Sequence, residues 1–142
     1  TVKDAENIKL DPDVYSRCVA TAKGYYRMLQ RQKEIEEEII HETHAPDGQP
    51  RGSGTGDPTA RKVEKILQRQ RENDRKIRAV EQAWISFQDK RVRMFIKKNF
   101  FEGLLMREIC IIMPEGTPMA EITMKRYRKK FLIRLAENLF EI

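Results

Sequence analysis

A chain of 142 residues that is 35% charged and only 39% apolar has too little greasy surface for a thick globule and suits long, solvated helices. Its two cysteines, Cys18 and Cys110, both lie in apolar-patterned segments, which argues against a disulfide framework and fits a reducing cytoplasm. No window approaches the roughly 18 uninterrupted apolar residues of a membrane span, and the opening TVKDAENIKL lacks the apolar core of a signal peptide.

Residues 1–11 show no period and are expected to be frayed. Asp11-Pro12 is a strong helix start, because Asp caps free amides and Pro at the first helical position gives up no hydrogen bond. The predicted helix runs from Pro12 to about Thr43, with Val14, Cys18, Ala22, Tyr25, Met28, Leu29, Ile35 and Ile39 on its apolar side and Gln32 interrupting. Residues 44–57, with four Gly and two Pro, read as a flexible connector. Asp57-Pro58 repeats the start signal, and a second helix is predicted to about Phe87. It keeps a heptad seam of Val63, Ile66, Gln70, Asn73, Ile77, Val80, Trp84 and Phe87.

Folding the second helix back on the first gives an antiparallel hairpin over 12–87, a coiled-coil arm with Gln32 opposite Gln70 as a polar layer and Cys18 near Trp84. Tyr25, Tyr26, Met28, Leu29 and Trp84 exceed what a two-helix seam can bury. Tyr25, Tyr26, Leu29, Ile77 and Trp84 are therefore expected to form a partner surface, with a homodimer as the simplest answer. Residues 88–142 then form a small three-helix unit. Asp89 caps a helix through Phe101 with Val92, Phe95, Ile96 and Phe100 inward, and Gly103 is its left-handed stop. A short helix over about 104–112, the turn MPEGTP and a last helix to about Phe140 complete an all-α fold.

The last helix carries the sharpest signal. Net charge is +6, and residues 89–142 hold 12 Lys/Arg against 7 Asp/Glu. Within Ile122–Leu135 stand Lys125, Arg126, Arg128, Lys129, Lys130 and Arg134 without one acid. Charge runs are ordinarily solvated faces, but surface helices usually interleave signs. Ile122, Met124, Tyr127, Phe131 and Leu135 read as a core stripe, which leaves a basic side for a polyanion. A short helix, a turn and a basic helix are the parts of a helix-turn-helix reader of double-stranded DNA. In that reading Glu121 accepts from cytosine, Thr123 meets a thymine methyl, Lys125 or Arg128 donates to guanine, and the other bases hold phosphates.

Other chemistry is weak. His41-Glu42-Thr43-His44 lacks the spacing that puts two imidazoles on one helical face, so no metal is expected. GSGTGD has neither a preceding strand nor a following GK[ST] and reads as linker. No catalytic constellation is present, so neither an enzyme nor a small-molecule substrate or cofactor is expected.

The stretches RMFIKKNFFEG, REI and AEITMKRYRKKFLIRLAENLFEI, with DPTARKVEKI upstream, resemble phage transcriptional regulators of the RinA and ArpU type. The resemblance covers residues 58–142. It implies a helix-turn-helix like region 4 of sigma factors, a phage or prophage protein acting in the bacterial cytoplasm on phage promoters, and activation of late packaging and morphogenesis genes; the arm over 12–87 is then expected to dimerise or to contact RNA polymerase. Where that pattern opens the recognition helix with Ser, Ala120 stands here; Ala caps about 1 kcal/mol less well, and Thr117-Pro118 is the alternative start. A DNA-packaging subunit resembling a small terminase, or an interaction module without DNA binding, would share the same parts.

Overall fold

The computed structural model describes residues 9–43, 58–112 and 119–140. Among them every regular element is helical: α1 Pro12–Lys23, α2 Tyr25–Thr43, α3 Pro58–Ile85, α4 Lys90–Ile96, a π-helical turn Lys97–Phe101, α5 Met106–Ile112 and α6 Glu121–Phe140. None is long and apolar enough to cross a membrane. The connector predicted over 44–57, most of the amino-terminal segment and the MPEGTP turn lie outside the described residues.

Asp11 starts α1 as expected, its carboxylate accepting the Asp13 amide at 2.9 Å with Pro12 behind it. The single helix predicted over 12–43 is two, divided at Gly24. The Thr21 hydroxyl donates to the Arg17 carbonyl at 2.8 Å, a contact that bends helices. At Gly24 the backbone closes so tightly that a Cβ would lie 3.2 Å from the Ala20 carbonyl oxygen. The break separates two tasks. α2 continues along α3, while α1 lies against α6 and the π-helical turn.

α2 and α3 run antiparallel, as paired contacts show: Glu42 with Lys62 at 3.7 Å, Glu38 with Arg69 at 3.1 Å, Tyr25 with Glu81 at 2.7 Å. The seam of α3 follows a seven-residue step, with Ile66, Asn73 and Val80 buried, and Phe87, just past the end of the helix, is buried as well. The polar layer is present, but Gln32 meets Asn73 rather than Gln70. The Asn73 amide donates to the Gln32 side chain and to the Met28 carbonyl, both at 2.9 Å. Asn73 takes the layer because it sits at the deeper seam position, 7% exposed, while Gln70 is only half-buried. Leu10, placed in the frayed start by sequence, instead packs on the core.

One buried cluster joins Cys18 and Ala22 of α1, Val80 and Ala83 of α3, Val92, Phe95 and Ile96 of α4, Ile109 of α5, and Met124, Phe131 and Leu135 of α6. Asp89 caps α4 through the Arg91 amide at 2.9 Å, and Arg91 in turn holds the Asp89 carboxyl below its usual range. The helix expected through Phe101 ends as a π turn, with the Glu102 amide donating five residues back to Lys97 at 3.0 Å. Gly103 then takes φ 73°, the left-handed stop read from the sequence.

Candidate nucleic-acid interface

α6 begins after Ala120, whose carbonyl accepts the Met124 amide at 3.0 Å and whose methyl offers no cap. The Thr117-Pro118 alternative lies outside the described residues. Glu121 in the first turn pairs with Lys125 at 3.9 Å, both side chains well exposed. The far end of the helix is fixed differently. Phe131, Leu132, Ile133, Leu135 and Ala136 are all buried. Asn138 donates to the Ala79 carbonyl at 3.1 Å, and the Arg75 guanidinium caps the Leu139 carbonyl at 2.9 Å.

The six bases divide accordingly. Arg134 donates to the Ser86 hydroxyl at 2.8 Å and lies 4.1 Å above the Phe87 ring. Arg128 donates to the Tyr15 hydroxyl of α1 and covers the Phe100 ring at 5.0 Å. Lys130 sits 5.3 Å over the Tyr127 ring, which meets Phe87 edge-on at 6.0 Å. These three charges rest on aromatic faces, where cation–π attraction adds to the packing of their stems. Lys125, Arg126 and Lys129 stand exposed and span about 100° of helix circumference.

Ile122 requires a correction. Assigned to the core stripe by sequence, it is 72% exposed. It lies two residues from Met124, about 200° around the helix, and so falls among Lys125, Arg126 and Lys129 rather than with Met124, Phe131 and Leu135. Of the remaining predicted readers, Glu121 is exposed and Thr123 half-buried.

The five residues assigned to a partner surface also separate. Ile77 of α3 is buried, and Leu29 of α2 is half-buried. Tyr25 donates to Glu81 and stacks 4.5 Å from Phe101; burial first, then this acceptor, pushes its hydroxyl pKa up. Trp84 donates to the Arg93 carbonyl at 2.9 Å and meets Phe101 at 5.8 Å. Only Tyr26 of the five is exposed. The aromatic excess on the seam is thus largely covered from within, by Phe101 of the π turn. Sequence reasoning missed this because the cover comes from another helix with no periodic link to the seam.

α5 lies beside α6, with Ile109 fully buried and the Cys110 thiol 4.0 Å from the Met119 carbonyl. Tyr15 is the functional neighbour that sequence did not flag; its partner Arg128 is 113 residues away along the chain. Among the described residues no group of three His, Cys, Asp or Glu side chains could hold a metal ion. No family model, curated protein or solved structure matches the chain.

Proposed function

We propose that the chain is a sequence-specific binder of double-stranded DNA, a transcriptional regulator of the phage type that its closing sequence resembles. The observation that carries this reading is the exposed basic face of α6, where Lys125, Arg126 and Lys129 surround an exposed Ile122. Three cations within one helical arc suit phosphate oxygens. An exposed branched methyl group between them suits the C5-methyl of thymine. α5 and α6 supply the two helices of a helix-turn-helix, and α2 with α3 supplies the hairpin arm. A second copy is the proposed partner for the outer side of α2, where Tyr26 and Ile40 are exposed two heptads apart. Activation of late phage genes in a bacterial cytoplasm, through RNA polymerase, completes the proposal.

A gel-shift titration with DNA from the genome that encodes the chain, at several salt concentrations, tests it. Log affinity should fall with log salt by about 0.9 per phosphate contacted. The Lys125→Ala/Arg126→Ala/Lys129→Ala triple variant should bind weakly with a shallower slope. Parent-like binding by that variant would remove α6 from the interface. A closed ring in light scattering, rather than a dimer, would favour a packaging subunit.

A further inference from the structure

A groove of about 510 Å³ opens where the start of α1, the start of α5 and the basic side of α6 meet. Its apolar surface comes from Leu10, Tyr15, Met106 and Leu132. Its charged residues are Lys9, Lys125, Arg128 and Lys129, and among the described residues no acidic side chain lines it, Glu121 reaching Lys125 from outside the groove at 3.9 Å. Leu132 is 1% exposed and Leu10 and Met106 pack onto the core cluster, so the apolar wall is part of the folded interior. Arg128 is held in place by the Tyr15 hydroxyl and the Phe100 ring.

The volume is that of a small-molecule site. Four cations beside apolar side chains call for one negative group on a hydrocarbon or aromatic body. Inorganic phosphate would leave the apolar wall wet, and a neutral hydrocarbon would make no charge-assisted contact with Lys9, Arg128 or Lys129. We propose that this groove binds a small organic anion with an apolar body, such as a medium-chain carboxylate. Lys125 and Lys129 also belong to the proposed DNA face, so the ligand and DNA compete for them and the ligand releases the protein from DNA. This second consequence rests on the DNA-binding reading; the ligand site itself does not.

The test uses dodecanoate below its micelle concentration, followed by calorimetry on the full chain. One dodecanoate should bind per chain, with dodecanol and inorganic phosphate each at least about tenfold weaker, as loss of a charge-assisted contact or of the apolar body predicts. Lys9→Glu, at an exposed position, should weaken dodecanoate about tenfold. Leu10→Gln, which shortens the apolar wall without adding a charge, should do the same while leaving duplex binding intact. Dodecanoate should raise the protein concentration needed to shift duplex DNA. Equal binding of dodecanol, several dodecanoates per chain, or indifference to both variants would overturn the ligand site. Single-site binding by a protein that shifts no DNA would leave the ligand site standing and remove the DNA reading.

Discussion

Two sets of cations on α6 are written in the same letters and do different work. Arg128, Lys130 and Arg134 rest on aromatic faces, while Lys125, Arg126 and Lys129 stand exposed. Arg134 near the enclosed end rests on Phe87 and donates to Ser86. Lys129, little more than a turn earlier, is exposed. Neighbours decide the role of a cation here. Where neighbouring elements supply aromatic faces and hydroxyls, a base becomes part of the core's edge. Where they do not, it is available to another molecule.

The comparison can be broken most forcefully at Phe131, fully buried against Phe100 at 5.1 Å. Phe131→Ala should cost about 3–5 kcal/mol in denaturant unfolding; a loss below 1 kcal/mol would mean the carboxyl half is not the anchor. A gentler probe is pH. Burial pushes the Cys18 thiol, in the same core, up to about 11 from its ordinary value of 9.0. A raised pKa means that the folded state keeps a proton which the unfolded chain loses. Stability from this group is therefore full below about pH 9 and falls as pH rises toward 11, by about 2 kcal/mol. Cys18→Ala should flatten that part of the alkaline stability profile, whatever its effect at neutral pH.

The smallest effects sharpen the contrast most. Arg134→Ala should lower stability by about 1–2 kcal/mol, from the ring contact and the hydrogen bond together. Lys129→Ala should leave stability within about 0.5 kcal/mol while reducing the salt slope of DNA binding by about 0.9. Equal destabilisation by the two variants would erase the distinction between anchored and exposed cations.

The fold was legible where a residue's role depends on its near neighbours. Asp11-Pro12, the Asp89 cap and the Gly103 stop follow from local backbone chemistry, and Met124, Phe131 and Leu135 follow from helical period. Gly24 was hidden because a lone Gly inside a helical pattern is often tolerated; the tertiary pull of α1 toward α6 decided the break. Arg128 and Arg134 looked like surface bases because their partners lie 113 and 48 residues away. Leu132 and Ile133 are buried although they fall outside the predicted stripe, since the carboxyl half of α6 is enclosed on several sides. Exposed cations and anchored cations have the same sequence signature.

The π turn at Lys97–Phe101 has a consequence for how this chain can change length. A π turn is one residue more than an α-helix needs for the same advance. That surplus lets two consecutive phenylalanines serve different neighbours, Phe100 meeting Phe131 and Phe101 meeting Tyr25 and Trp84. Deleting a single residue there would restore ordinary helical winding and swing one of the two rings off its partner. Relatives of this chain that lack the extra residue should therefore also lack a large aromatic at the position of Phe101, or carry a smaller aromatic cluster where α2 meets α3.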